Sequence, residues 1–177
     1  MDIVIRPETT GDEAAIDSVV VRAYENVSYS DHTEQVMIRR LRGSTAYVPA
    51  LALIAVTGTE IVGHIMLTSV SIRDYDRVVP SLALAPLSVA PAYQGRGVGS
   101  ALVTGAHDRA RALGYTSVVV LGVPEYYPRF GYEPLQRYDI TVPFNIRDEN
   151  CMILSLMTDA LVGVRGVVDY PAEWMKG

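Results

Sequence analysis

The stretch that most constrains this chain joins an apolar strand, a glycine-rich turn and a helix. It reads PLSVAPAYQGRGVGSALV over Pro86–Val103. Residues 81–89 are apolar enough for a strand, and apolar residues recur at helical spacing from Val98 until Gly114. The first N–H groups of a helix lack internal partners, and the helix dipole favours negative charge beside them. Because glycines remove the Cβ atoms in the way, this turn is predicted to bind a phosphate or pyrophosphate group.

The remaining hydrophobic pattern predicts a mixed α/β chain that forms one domain over residues 1–177. Strands are predicted at 2–7, 50–56, 61–72, 81–89, 116–121, 138–142 and 151–157, with an edge strand within 162–169. Helices are predicted at about 12–25, within 28–44 and from 98 to 113, with one helical turn in PEYYPRFGY. TGTE is predicted to be a hairpin turn, and RDYDRVVP a loop. The sheet is expected to be largely antiparallel, with one parallel β-α-β unit over 81–121.

Composition excludes several classes of function. The net charge is −5, so nucleic acid is not expected as the main partner, because phosphate backbones require a basic face. Cys151 is the only cysteine, which excludes an internal disulfide framework and a cysteine-rich zinc site. The N-terminus carries acidic residues and no long apolar run, so we expect a cytoplasmic protein without a membrane anchor.

Three motifs compete for the glycine turn. A P-loop requires a lysine that is absent here, since Lys176 is the only lysine in the chain. A dinucleotide-binding fingerprint requires a third glycine where Ser100 stands. The pattern Gln/Arg-x-x-Gly-x-Gly/Ala is matched in full by Gln94, Gly97 and Gly99. With its flanking strand and helix, this segment resembles the pyrophosphate-binding loop of the GCN5-related N-acetyltransferase (GNAT) family.

A second segment, YYPRFGY, strengthens the resemblance. It follows the next predicted strand, where this family often carries Tyr-x-x-x-Gly-Phe. Tyr127 stands four residues before Gly131, and Tyr132 replaces the usual phenylalanine. The resemblance implies that Tyr127, rather than its neighbour Tyr126, is the general acid toward the coenzyme A thiolate. The segments GHI, PLSV and YYPRFGY are typical of the bacterial YhbS-like branch of the family.

The resemblance implies a fold and a donor site. The fold would be a single mixed, mostly antiparallel sheet of six to seven strands with about four helices, splayed between strands four and five. The cosubstrate would be acetyl-CoA, with no metal. A strand edge would hold the pantetheine arm, with a backbone N–H near Val89 for the oxyanion, and the glycine turn would hold the pyrophosphate. The residues assigned to this site are Leu87, Ser88, Val89, Gln94, Gly95, Arg96, Gly97, Val98, Gly99 and Ser100.

The acceptor implied by the resemblance is a primary amine of a small molecule or peptide, and its general base stays open. The candidates are Glu25, Asp31, His32, Glu34, His64 and Ser88. Glu34 and His64 are assigned to the catalytic site beside Tyr127. Glu34 alternatively complements a helix dipole, and His64 alternatively has a structural role within its strand.

Three further expectations remain. The basic run Arg39, Arg40 and Arg42 is interpreted as a solvated helix face, with recognition of an acidic substrate as the alternative. The resemblance also implies pairing of two copies as a homodimer. The alternative function is a coenzyme A-binding sensor or partner module without turnover, since no base is obvious. Tyr127 argues against that alternative, because a binding module needs no acid at that position.

Overall fold

The computed structural model describes residues 1–175, so Lys176 and Gly177 lie outside the described residues. Within residues 1–175 the chain forms nine strands and four α-helices. The strands are β1 (Val4–Pro7), β2 (Tyr47–Thr57), β3 (Glu60–Asp74), β4 (Arg77–Val89), β5 (Ser117–Leu121), β6 (Glu133–Pro134), β7 (Ile140–Thr141), β8 (Cys151–Ser155) and β9 (Gly166–Asp169). The helices are α1 (Glu13–Tyr24), α2 (Glu34–Arg42), α3 (Val98–Ala112) and α4 (Ala172–Met175). Among these helices, none has the length and apolar character that spanning a lipid bilayer requires.

The chain divides into two compact units, and β3 and β4 contribute residues to both. The first unit comprises Met1–Leu67 and Pro86–Arg109, and the second comprises Thr68–Ala85 and Ala110–Gly177. Strands of the first unit follow the order β1-β2-β3-β4. Strands of the second follow the order β4-β5-β8-β6, and β9 pairs with β3 and β7. The single-domain organisation over residues 1–177 stays a prediction.

The predicted mixed, mostly antiparallel sheet is confirmed. β4 and β5, which α3 separates in the sequence, pair in the parallel sense, with Leu82–Leu84 paired to Val118–Val120. β5 and β6 both pair with β8 in the antiparallel sense. The nine strands exceed the six to seven that the resemblance implied. β7 lies within the strand predicted at 138–142, whereas β6 was not predicted, because its two residues are too few to show an alternating pattern. The divergence of β4 from β5 beyond these pairs stays a prediction.

The segment RDYDRVVP, predicted as a loop, is instead the tip of a hairpin. β3 extends to Asp74 and β4 begins at Arg77, so the turn between them has two residues. Tyr75 occupies this turn with a φ of 50° and is 92% exposed. The strand ends at this turn were not predicted, because the residues Arg73–Arg77 are mostly polar and show no alternation of apolar and polar side chains.

In the first unit, β3 packs closely against the start of α3. A Cβ added to Gly63 would lie 2.9 Å from Leu102 Cδ1 and 3.1 Å from both Ser88 O and Val98 Cγ1. Val98 and Leu102 are themselves buried. Because Gly63 has no side chain, β3 can pack directly against Val98 and Leu102 in the first turns of α3.

The second unit has its own apolar core. Val70, Ile72, Val119 and Ile153 belong to one cluster of buried side chains. Trp174 packs against the edge of this cluster, and its Nε1 donates a hydrogen bond to Thr68 Oγ1 at 3.1 Å. The core thus combines side chains from β3, β5 and β8 with the last helix, α4.

Candidate active site

The glycine turn connects β4 to α3 within the first unit. Ala90 N donates to Val62 O at 2.9 Å, which ties the end of β4 to β3. A short 3-10 helix, Pro91–Tyr93, follows, and Gln94 N donates to Pro91 O at 3.3 Å. The chain then passes through exposed residues Gln94–Gly97 and enters α3 at Val98. The predicted order of strand, turn and helix is therefore present.

Two glycines of this turn have backbone conformations that other residues rarely adopt. Gly95 has a φ of 71° and Gly97 a φ of 84°, and nothing lies within 4 Å of a Cβ added at either position. Ala101 N donates to Gly97 O at 2.9 Å, which makes Val98, Gly99 and Ser100 the first turn of α3. The N–H groups of a first turn point out of the helix without internal partners. An anion can approach this exposed backbone without a steric obstacle.

Arg96 places a positive charge on the exposed surface of this turn. Its guanidinium carbon lies 6.0 Å from the centre of the Tyr93 ring. The Tyr93 hydroxyl donates to Glu60 Oε2 at 2.7 Å, and that hydrogen bond raises the pKa of Tyr93. Arg96 can therefore add a charge-assisted hydrogen bond to a phosphate bound at the helix start.

The described pairing of β4 with β5 covers Leu82–Leu84, so the edge of β4 that faces away from β3 is unpaired beyond those residues. Because Ala90 bonds to β3, strand alternation directs the backbone groups of Leu87 and Val89 to the opposite edge. The Tyr24 hydroxyl donates to Leu87 O at 3.0 Å, and Gln94 Nε2 donates to Val89 O at 3.0 Å. Each carbonyl on this edge already accepts one hydrogen bond from a side chain. The edge therefore offers a ligand chiefly the N–H groups of Leu87 and Val89.

A pocket of about 240 Å³ opens between the end of α1 and the start of α2. Its lining residues are Val21, Tyr24, Glu25, His32, Glu34 and Gln35. Glu34 Oε1 accepts a hydrogen bond from Ser30 Oγ, whereas Glu34 Oε2 is buried without a hydrogen-bond partner in the described part of the chain. Glu34 thus brings to the pocket lining a carboxylate with one unsatisfied oxygen, and a carboxylate can act as a general base.

Tyr24 joins this pocket to β4. Burial raises the pKa of Tyr24, and the negative charge of Glu34 raises it further. The phenol therefore stays protonated and donates its hydrogen to Leu87 O. The buried Ser88 Oγ approaches the Tyr24 hydroxyl without a hydrogen bond of good geometry. Tyr24 was not among the predicted site residues, because a tyrosine that ends an amphipathic helix carries no distinguishing sequence signal.

The structure places His64 away from this pocket, in a buried polar cluster. His64 is 0% exposed, and its Nε2 lies 2.8 Å from Glu8 Oε2. Arg42 Nε and Nη2 donate to the same carboxylate at 2.7 Å and 3.0 Å, and the Tyr47 hydroxyl donates at 3.0 Å. Arg42 is therefore largely buried in an ion pair, which differs from the solvated helix face predicted for the basic run.

Burial and hydrogen bonding act in opposite directions on this cluster. Burial raises the pKa of Glu8, but the hydrogen bonds from Arg42 and His64 outweigh it and lower that pKa to about 2. Burial lowers the pKa of His64 and outweighs the opposing effect of Glu8. A neutral His64 that donates from Nε2 to an ionised Glu8 agrees with both pKa shifts, and it leaves the buried His64 Nδ1 without a hydrogen-bond partner among the described residues.

The other candidate bases have simpler surroundings. Asp31 accepts hydrogen bonds from Thr33 N and Thr33 Oγ1, which lower the pKa of Asp31 and close the turn before α2. His32 is exposed and has a φ of 60°. Glu25 is exposed at the pocket.

Tyr127 lies in the second unit, at the start of a 3-10 helix, Tyr127–Phe130. It is 8% exposed, and its ring packs edge-to-face against Tyr126 and Tyr132. A Cβ added to Gly122 would lie 2.4 Å from Tyr127 Cε2. Asn150 O accepts from Gly122 N, and Asn150 Nδ2 donates to Gly122 O, each at 2.9 Å. The glycine after β5 thus provides a fixed surface for the tyrosine ring.

The structure brings most of the predicted site residues into the first unit. The glycine turn, the end of β4 and Glu34 all belong to that unit, as does the buried His64. Tyr127 belongs to the second unit. Within residues 1–175, no three His, Cys, Asp or Glu side chains are grouped as metal ligands would be.

Comparison with known proteins identifies the family. The acetyltransferase (GNAT) domain matches residues 5–135. The uncharacterized N-acetyltransferase YjhQ of Escherichia coli K12 is 32% identical over 146 residues, which is 80% of each chain. The crystal structure of the GNAT family N-acetyltransferase YhbS from Escherichia coli in complex with CoA superposes with a TM-score of 0.88, at 26% identity, over 98% of this chain and 92% of that one.

A GNAT family acetyltransferase from Brucella melitensis, crystallised in complex with acetyl-CoA, superposes with a TM-score of 0.80. Its sequence is 28% identical, and the alignment covers 98% of both chains. The resemblance inferred from the glycine turn and YYPRFGY is confirmed. The match over residues 5–135 shows that this chain belongs to the GNAT acetyltransferase family.

Proposed function

We propose that the protein is an acetyl-CoA-dependent N-acetyltransferase that acetylates a primary amine. The observation that carries this proposal is the exposed turn Gln94–Gly97, which opens onto the unpaired first turn of α3. Complexes of similar structures with CoA and with acetyl-CoA support the same donor here. Positive-φ glycines with open space around them fit a pyrophosphate group at this turn.

The donor residues divide into two groups with different tasks. Gln94, Gly95, Arg96 and Gly97 form the turn, and Val98, Gly99 and Ser100 supply the helix N–H groups that hold the pyrophosphate. Leu87, Ser88 and Val89 line the path of the pantetheine arm. The N–H of Val89 would stabilise the negative charge that develops on the thioester oxygen during acyl transfer.

Proton transfers complete the reaction. The amine nitrogen attacks the thioester carbonyl carbon, so a C–N bond forms and the C–S bond breaks. Glu34 accepts the proton that the nitrogen loses, because Glu34 lines the pocket and its Oε2 has no hydrogen-bond partner among residues 1–175. Tyr127 donates a proton to the leaving thiolate, as the match to the family motif suggests. His64 has no role as a base in this proposal, because it is buried against Glu8.

The expectations about the protein's surroundings stay predictions. They are a cytoplasmic location, a homodimer and the absence of nucleic acid and membrane partners. The net charge of −5 supports the expectation about nucleic acid, since the overall charge repels phosphate backbones.

The proposal is tested by following the release of the CoA thiol with a thiol reagent. The purified protein is incubated with acetyl-CoA and a panel of primary amines, and product mass is checked for an added acetyl group. Background is low because Cys151 is the only cysteine and is 3% exposed. Amine-dependent thiol release with acetylated product is expected. If the protein bound acetyl-CoA but acetylated none of the amines, the acetyltransferase proposal would be overturned. That result would support the alternative, a coenzyme A-binding sensor.

A further inference from the structure

Among the described residues, the pocket between α1 and α2 is lined mainly by groups that can accept hydrogen bonds, alongside the donors of His32 and Gln35. The Tyr24 hydroxyl uses its single hydrogen on Leu87 O, which leaves only its oxygen lone pairs for a ligand. Gln35 Nε2 donates one of its two hydrogens to His32 O at 3.4 Å, so the Gln35 amide keeps its oxygen and one N–H. Glu25 and Glu34 are acceptors when ionised. A ligand that satisfies these groups must supply N–H or O–H donors.

The charge of the pocket further restricts the chemical class of ligand that it can bind. Its six lining residues include two glutamates and no lysine or arginine. Glu34 Oε2 is buried without a hydrogen-bond partner in the described residues, so its desolvation is not yet compensated. An ammonium group supplies both the positive charge and the N–H donors that a buried carboxylate oxygen lacks.

Two carboxylates at one small pocket can hold two positive charges. We infer that the acceptor is a small aliphatic amine with a second ammonium group, an inference that rests on the proposed acetyltransferase function. One nitrogen lies at Glu34, loses its proton to that carboxylate and forms the new C–N bond. The second nitrogen stays protonated and pairs with Glu25, which makes Glu25 a specificity-determining residue.

The position of Tyr24 agrees with this arrangement. The Tyr24 hydroxyl donates to Leu87 O on the β4 edge, and Tyr24 also lines the pocket. An ammonium group that donates a hydrogen bond to the Tyr24 oxygen would therefore lie close to that edge. Val21 supplies an apolar wall that suits the methylene chain between two ammonium groups. The volume of about 240 Å³ suits a short chain of this kind.

Three amines of equal chain length test the inference: 1,4-diaminobutane, 1-aminobutane and 4-aminobutanoate. All three have a four-carbon backbone, and they differ at its far carbon, which bears an ammonium group, bears only hydrogen or is the carbon of a carboxylate. We expect kcat/KM for the diamine to exceed that for 1-aminobutane by about tenfold or more, with 4-aminobutanoate the poorest substrate.

Two variants separate the role of Glu25 from a general change of charge. Glu25→Gln is expected to lower the ratio of kcat/KM for the diamine to kcat/KM for 1-aminobutane by about tenfold. Glu13→Gln is the matched control, because Glu13 is an exposed glutamate at the far end of α1. It removes the same charge at the opposite end of α1 from Glu25 and should leave both rates unchanged.

The outcomes distinguish this inference from the function on which it rests. Equal rates for the diamine and 1-aminobutane, or equal behaviour of Glu25→Gln and Glu13→Gln, would overturn the inference. So would acetylation of some other amine by a protein that leaves all three probes unmodified. In each of these cases the acetyltransferase function stands. Failure to acetylate any amine overturns the function itself.

Discussion

His64 Nε2 and Glu8 Oε2 lie 2.8 Å apart in a site from which solvent is excluded. Arg42 and Tyr47 bind the same carboxylate, so Glu8 joins the end of β1 to α2, β2 and β3. Losing one partner of a buried charged pair leaves the other uncompensated, which is strongly destabilising. This cluster is therefore expected to hold the strands and helix α2 of the first unit together.

We predict that acid weakens the fold in two steps. Burial lowers the pKa of His64, so below a pH of about 6.5 the unfolded chain binds a proton that the folded chain does not, and stability falls. Glu8 has a pKa of about 2 against an ordinary value of 4.5, so its contribution is present above about pH 4.5 and is lost toward pH 2. Urea unfolding at a series of pH values measures both steps.

Two histidine substitutions provide the control for this pH dependence. His64→Gln should flatten the loss of stability between about pH 7 and about pH 5, because glutamine does not titrate. His32→Gln, at an exposed position, should leave the profile of the wild type unchanged. If both variants kept the wild-type slope, the first step would not arise from His64.

Gly63→Ala is predicted to destabilise the protein and to weaken acetyl-CoA binding together. The added methyl group would lie 2.9 Å from Leu102 Cδ1 and 3.1 Å from Ser88 O, so the Leu102 side chain must move and the backbone at Ser88 must adjust slightly. Overpacking of this kind costs about 1–3 kcal/mol. Gly11→Ala is the control, since its Cβ would meet only Thr9 Oγ1 at 3.8 Å. Urea unfolding and a binding titration with acetyl-CoA measure the two effects, and a neutral Gly63→Ala would contradict the packing described.

Tyr127→Phe is predicted to lower kcat by about 100-fold or more, which is the usual contribution of a general acid. Affinity for acetyl-CoA should change little, because the pyrophosphate turn lies elsewhere in the sequence. Tyr126→Phe is the matched control, since its ring packs against Tyr127 and it also loses one hydroxyl. Steady-state kinetics of thiol release compare the three proteins. Equal kcat values for the two variants would remove the acid role from Tyr127.

The sequence predicted those parts of the site whose structure depends on residues adjacent in the chain. The glycines that adopt positive φ and the helix that begins at Val98 follow from a sequence pattern with a direct steric cause. The parallel pairing of β4 with β5 follows from one helix between two apolar runs.

Long-range polar partners were not predictable from the same patterns. Glu8 lies 34 residues from Arg42 and 56 from His64, and no local pattern indicates that these groups share a buried site. The contact of Tyr24 with Leu87 spans 63 residues and was missed for the same reason. The hairpin tip at Tyr75 was missed because its strands carry polar residues where both faces meet solvent.

Calorimetric titration with acetyl-CoA tests the central claim most directly, in the wild type, in Gly97→Asp and in Gly58→Asp. Gly97 and Gly58 both have positive φ, both are exposed, and nothing lies within 4 Å of an added Cβ at either position. Both variants therefore place an aspartate at positive φ and make the same charge change, but only Gly97→Asp places a carboxylate at the proposed pyrophosphate site. Saturable binding in the wild type and Gly58→Asp, weakened about tenfold or more in Gly97→Asp, is the predicted result. Equal affinity in all three proteins would contradict the account.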